Sequence, residues 1–225
     1  MTQKELLDYL ASIILKKQKN APIFVGIDGV DAAGKTTLAD KLVKELEGSS
    51  RLIIRASIDS FHNPRHIRYS KGENSSEGYY FDSFNYKAMV KVLLDPLSSG
   101  KLKYQTAIFD YKTDSKIILP VQTATNNAIL VMDGIFLFRP ELVNYWDIKI
   151  FIDVDFKITL KRVIKRSDEV LYLGTEQDII NKYNQRYIPG QQIYFEQANP
   201  KEKADIIIDN SDFQNPVIKR GGCQF

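Results

Sequence analysis

The residues best equipped for chemistry form one octet, Gly29-Val30-Asp31-Ala32-Ala33-Gly34-Lys35-Thr36, which fits G-x-x-x-x-G-K-[ST] at every fixed position. Two glycines let the backbone bend so that consecutive N–H groups aim at phosphate oxygens, and a following helix adds its positive end. Lys35 has the reach to bridge terminal phosphates, and Thr36 offers a hydroxyl to magnesium. Gly29, Asp31, Ala32, Ala33, Gly34, Lys35, Thr36 and the adjoining Thr37 are therefore the expected contacts of ATP, with Mg2+ as its companion ion. The motif works only between a strand and a helix. The apolar run Ile23 to Ile27 precedes it, and Leu38, Leu42, Val43 and Leu46 follow at helical spacing on one face.

Acids decide what becomes of a bound nucleotide. Asp133 ends the apolar run Ala128-Ile129-Leu130-Val131-Met132, where a carboxylate would face the magnesium shell; a helix N-cap or turn aspartate is the alternative. Gly134 follows, in place of the adjacent glutamate that activates water in many ATPase motors, so water is not the expected nucleophile. Asp59, in Ser57-Ile58-Asp59-Ser60-Phe61, lies just past the second apolar run, where doubly wound sheets place ligands. A carboxylate there can accept the proton of an incoming hydroxyl, which makes Asp59 the candidate base, against a turn-capping role. Arg162 and Arg166 recur at helical spacing, as do Lys161 and Lys165; they either clamp phosphates during transfer or form a solvated face. Arg186, Tyr183 and Tyr187 on a later helical segment leave the same choice open.

These residues need a scaffold, and five apolar runs supply it: Ile23 to Ile27, Leu52 to Ala56, Ala128 to Met132, Ile148 to Val154, and Asp205 to Asp209. Helix-period segments lie between them, at Lys35 to Leu46, Tyr86 to Leu94, Phe156 to Lys165 and Glu176 to Tyr187. Alternating strands and helices predict an α/β fold of the P-loop type, a three-layer sandwich whose five-stranded, mainly parallel sheet carries helices on both faces. One domain spans 1–225, with an N-terminal helix over 2–19 and a core over 21–60 and 126–210. The interval 61–125 mixes a polar loop, one helix and two alternating segments, Leu102 to Phe109 and Lys116 to Leu119. Such an insertion, with its hairpin, is the expected place for substrate contacts.

Composition excludes several classes. The chain's 225 residues include 31 basic and 28 acidic ones, a net charge of +3, which is not the concentrated basicity of a nucleic-acid binder. Lys16, Lys17 and Lys19 close a run with Leu6, Leu7, Leu10, Ile13 and Ile14 at helical spacing, so they suit a helix C-terminus better than a membrane contact. No apolar run approaches the ~20 residues of a membrane span. The single cysteine, Cys223, allows no intrachain disulfide and points to a reducing cytoplasm. A regulatory GTPase would carry an Asn-Lys-x-Asp guanine reader; the nearest string is Asn181-Lys182-Tyr183-Asn184 on a predicted helix. His62 and His66 lie in a basic loop with Arg65 and Arg68, suited either to an acidic or phosphorylated acceptor or to a solvated lid.

With the phosphate loop, Asp59-Ser60-Phe61, Asp133-Gly134-Ile135 and the basic helix together, the chain resembles the uridine kinase and phosphoribulokinase group over roughly Ile23 to Asn210. The resemblance implies that Asp59 is the base and that Arg162 to Arg166 lead into a lid over ATP at about 165–190. It also implies that Gly78-Tyr79-Tyr80-Phe81-Asp82-Ser83-Phe84 holds the acceptor, with Asp82 on ribose hydroxyls and Tyr80 beside it. The stretch around Phe109 and Asp110 looks like the family's base-reading hairpin, where Phe109 replaces a tyrosine and Asp114 a histidine. The implied activity is ATP-dependent transfer of the γ-phosphate to a hydroxyl of a nucleoside-like acceptor, and the altered base readers leave uridine specificity open. A sugar phosphate or pantothenate-like acid is the alternative acceptor, and a P-loop nucleotide-binding or hydrolysing regulatory protein the alternative class. The expected partners are ATP and a small molecule, with homo-oligomerisation left open.

Overall fold

The apolar runs become strands because each is short, bounded by turn residues and rich in Ile, Val and Phe. In the computed structural model, which describes residues 1–165 and 174–222, they are β1 (Ile23–Gly29), β2 (Ile53–Ser57), β3 (Ile129–Asp133), β4 (Ile148–Asp153) and β5 (Ile206–Asp209). These five pair in parallel. A sixth strand, β6 (Val217–Arg220), runs antiparallel to β5, so the order is β6-β5-β4-β1-β3-β2 and the expected count of five is corrected to six. The sequence signal for β6 is weak because it is a short edge strand carrying Lys219 and Arg220, the charged character that blunts an exposed edge. Lys219 pairs with Asp153 at 3.1 Å and Asp209 at 2.8 Å.

The longer helices among the described residues flank the sheet and its insertion. They are α1 (Gln3–Lys16), α2 (Lys35–Leu46), α3 (Ser76–Asp82), α4, α5 (Phe156–Ile164) and α6. Helix α4 joins Tyr86–Met89, a π-turn Val90–Leu94 and Asp95–Ser98 without a break. Helix α6 joins Glu176–Lys182, a π-turn Tyr183–Tyr187 and Ile188–Ala198. The helical segment expected over Glu176 to Tyr187 continues through Pro189-Gly190 to Ala198. Pro189 falls directly after the π-turn, at the start of a new helical segment where a missing N–H is tolerated. Helix α1 starts on a capping box between Thr2 and Glu5 and ends at Lys16, short of the expected residue 19.

Strand alternation sends Ile23, Val25 and Ile27 with Ile129 and Val131 to one face of the sheet, against α1 and α2. Phe24, Leu130 and Met132 face the other layer, with Met89, Leu93 and Leu97 of α4 and Tyr194 of α6. The register sets the site. Asp133 lies opposite both Ile27 and Ser57, so the carboxyl ends of β1, β3 and β2 come level beside the loop that leaves β1. The insertion 61–125 holds α3, α4 and two minimal antiparallel ladders, Lys103–Tyr104 with Gln122–Thr123 and Phe109–Asp110 with Ser115–Lys116. Among the described residues no helix is long and apolar enough to cross a membrane.

Candidate active site

The loop from β1 to α2 takes the shape that its glycines permit. Gly34 has φ 100°, and a Cβ there would lie 2.7 Å from Asn210 Nδ2, which itself donates to the Ala33 carbonyl at 2.7 Å. Ala32 joins it in the left-handed region at φ 55°. Lys35 Nζ donates to the Val30 carbonyl at 2.8 Å, so the ammonium stays folded over its own loop.

Thr36 Oγ1 donates to Asp133 Oδ2 at 2.6 Å, which joins the first turn of α2 to the end of β3. Arg55 Nη1 stands 2.7 Å from Asp133 Oδ1, an ion pair whose angles do not make a hydrogen bond, so this buried oxygen keeps its acceptor capacity. A hydroxyl beside a carboxylate is a hard-oxygen pair that fits Mg2+, an ion that retains waters and takes few protein ligands. Among the described residues no cluster of three or more His, Cys, Asp or Glu side chains offers an alternative metal site. Arg55, on β2 within an apolar run, was not among the expected site residues. Its signal is a charge at a strand position where the neighbours Ile54 and Ala56 are buried.

Ser57 caps the turn Ile58–Phe61 and so directs Asp59 into the cleft. That cleft, about 170 Å³, is also lined by Lys35, Thr36, Asp133 and Tyr183. Asp59 is exposed toward the cleft but hemmed in by its walls. The loss of bulk hydration and then the Asp133 charge raise its carboxyl to about 6, against the pull of Lys35 and Arg55. Behind it, His62 Nδ1 stands 2.8 Å from the Asp59 carbonyl, which can only accept, so Nδ1 carries the hydrogen. Burial lowers the imidazole to about 4 and keeps it neutral near pH 7.

A second cleft of about 340 Å³ adjoins the first through Ala32, Gly34 and Thr37, and its far walls are Leu6 and Leu7 of α1, Leu38 of α2 and Phe213. Arg162 lies on its rim and donates to the carbonyls of Ala32 (3.3 Å), Asn210 (2.6 Å) and Ser211 (2.9 Å). The structure thus sets Arg162 beside the second cleft rather than among the residues lining the Asp59 cleft. Arg166 lies outside the described residues.

The expected acceptor residues are scattered. Tyr80 is buried in the core, its ring 5.1 Å from Phe136, and Phe109 is buried as well. Asp110 closes the hairpin tip, accepting from Lys112 N at 2.9 Å and Thr113 Oγ1 at 3.0 Å. Asp82 pairs with Lys71 at 3.0 Å. Asp114 accepts from Arg65 N at 2.9 Å and pairs with Arg68 at 2.9 Å, which gathers the basic loop and the hairpin. Arg186 is neither a phosphate clamp nor solvated. At 1% exposure, it donates to the carbonyls of Arg68, Gly72 and Ser75.

A family model described as "Phosphoribulokinase / Uridine kinase family" matches residues 24–214. The chain belongs to this family. It is 33% identical to uridine-cytidine kinase A of Dictyostelium discoideum over 83% of its own length but only 36% of that relative. It is 27% identical to a uridine kinase of Ligilactobacillus salivarius, over 86% of this chain and 88% of the relative. A solved structure of a possible uridine kinase from Bacillus stearothermophilus superposes with a TM-score of 0.71, at 22% identity, over 91% of this chain and 97% of that one. The kinase, transferase and nucleotide-binding character of the family agrees with the P-loop and with the α/β sandwich read from the sequence.

Proposed function

We propose that this protein is an ATP-dependent kinase that transfers the terminal phosphate to a hydroxyl of a nucleoside-like acceptor. One observation carries the reading: Asp59, a carboxyl raised to about 6, shares a cleft with Lys35, Thr36 and Asp133. A base with that affinity accepts a proton near neutral pH, and the same cleft presents cationic and metal-binding groups to phosphate. Asp59 takes the hydroxyl proton, and a lone pair of the acceptor oxygen forms the new P–O bond. The bond from the terminal phosphorus to the bridging oxygen breaks, and ADP departs with that electron pair. Thr36 and Asp133 would hold Mg2+, which when bound neutralises phosphate charge. The apolar second cleft suits the purine ring, with Arg162 on its rim. Arg162 then orients nucleotide-binding segments, and any phosphate clamp falls to other cations such as Lys35. A soluble enzyme of the reducing cytoplasm fits the ATP requirement and the lone Cys223.

The test is ADP release with product identification over a panel of uridine, cytidine, sugar phosphates and pantothenate. Release that requires a nucleoside and yields its monophosphate is the expected result. Steady ADP release with no acceptor, or a marked preference for GTP, overturns the reading in favour of a hydrolysing regulator. A second reading, transfer to a sugar phosphate or pantothenate-like acid, draws on Arg65, Lys71 and Lys182 around Tyr69 and Asp82. Phosphate appearing on an anionic member of the panel, and not on a nucleoside, selects it.

A further inference from the structure

Asp31 is one residue of the phosphate loop, and two helices grip it. Gln191 of α6, 1% exposed, accepts from Asp31 N at 2.9 Å and donates through Nε2 to Asp31 Oδ2 at 3.2 Å. Its Nε2 also donates to the Tyr187 carbonyl at 2.9 Å, which fixes the amide orientation from within α6. Tyr79 of α3 donates its hydroxyl to the same Asp31 Oδ2 at 2.8 Å. Tyr79 lies three residues before Asp82, on the helix expected to hold the acceptor.

The helices can meet there because of one glycine. A Cβ at Gly190 would stand 2.8 Å from the Tyr79 ring and 2.9 Å from the Ser76 carbonyl, so a larger residue would force α6 away from α3 and lift Gln191 off the loop. The same helix reaches the end of β1 through Tyr194, which donates to Asp28, and it holds the basic loop through Arg186. Neither Tyr79 nor Gln191 is needed for proton or phosphoryl movement.

We infer that Tyr79 and Gln191 are positioning residues that couple the nucleotide cradle to the acceptor helix through Asp31, so that each substrate tightens the site for the other. The acceptor in this statement rests on the kinase reading above; the coupling between loop and helix does not. A displacement of Asp31 on nucleotide binding must pull on Tyr79 and Gln191 together, since one carboxylate oxygen holds both.

Two measurements on the full chain test this, with AMP-PNP and uridine as probes. In the wild type, AMP-PNP slows amide exchange over 76–82 as well as over the loop 29–37, and saturating uridine lowers the AMP-PNP dissociation constant about fivefold. Tyr79→Phe, which keeps the ring, keeps the slowing at 29–37, loses it at 76–82, and brings the affinity ratio close to one. Gln191→Ala does the same, with KM for both substrates moving more than kcat; a thermal melt of each variant confirms that it folds. A Tyr79→Phe protein that retains both the ratio and the exchange pattern overturns the coupling, as does a wild type whose 76–82 segment ignores AMP-PNP. If no acceptor is phosphorylated while the wild-type and Tyr79→Phe exchange patterns appear as described, the kinase reading falls and the coupling stands.

Discussion

On the nucleotide side of the cleft, position comes from backbone: eight consecutive residues, a left-handed glycine, and a parallel register that brings Asp133 level with Ile27 and Ser57. On the side proposed to receive the acceptor, position comes from side chains far apart in sequence. Arg68 meets Asp114 across 46 residues, and Arg186 reaches carbonyls 111 to 118 residues away. A site built from backbone is destroyed by a change of shape but tolerates many changes of side chain. A site built from pairs can change what it recognises when one pair changes, with the sheet and cradle intact.

The sharpest way to divide the two sides is at Asp59, where they meet. Asp59→Asn is expected to lower kcat about 10³-fold, within the usual range for loss of a general base, and to leave ATP binding within about twofold. Steady-state kinetics and calorimetric titration with ATP read both quantities. Full activity in the variant would remove Asp59 from the mechanism. Next in size is Arg186→Ala, which deprives three carbonyls of their donor and leaves a large void at a fully buried position. A loss of about 3 kcal/mol in denaturant unfolding is expected. In whatever protein remains folded, KM should rise more for the acceptor than for ATP. Equal changes in both would erase the distinction between the two sides.

The pH profile sharpens the comparison without mutation. The folded protein raises Asp59 from its ordinary 3.8 to about 6, so the base is protonated below that pH and free above it. Rate at limiting substrate should rise about tenfold per unit up to pH 6 and then flatten. The Asp59→Asn variant should lack this limb. A limb that survives there belongs to another group.

How far the sequence reveals each side follows from the same contrast. The octet is readable because its pattern is local, and Asp133 because it closes an apolar run that becomes β3, which sets its carboxylate against Thr36. Strands β1 and β3 are readable for a similar reason, as apolar runs buried on both faces, whereas β2 and β4 stand out despite Arg55 and Lys149 within them. Arg55 is harder to find because its partner Asp133 comes 78 positions later in the chain (133 minus 55) and only sheet order brings them together. Tyr80 illustrates the opposite difficulty: its motif neighbours suggest a substrate contact, yet the packing of α3 turns its ring into the core beside Phe136 and Tyr194. The passage of α6 through Pro189-Gly190 depends on a π-turn that has no sequence signature, and with it go the roles of Arg186 and Gln191.

The smallest expected effect probes a single pair. Asp114→Ala leaves the Arg68 guanidinium, 6% exposed, without its carboxylate, while Asp114 itself is partly open to solvent. Because one partner is wet, the loss falls between that of a surface pair and that of a buried one, and about 1 kcal/mol in thermal unfolding is expected. The Arg65 backbone N–H also loses its acceptor, so the basic loop should loosen against the hairpin. KM for the acceptor should then rise severalfold while KM for ATP stays within twofold. A larger change on ATP than on the acceptor would place Asp114 on the nucleotide side and undo the division, whereas a change confined to the acceptor would show that this pair alone tunes recognition.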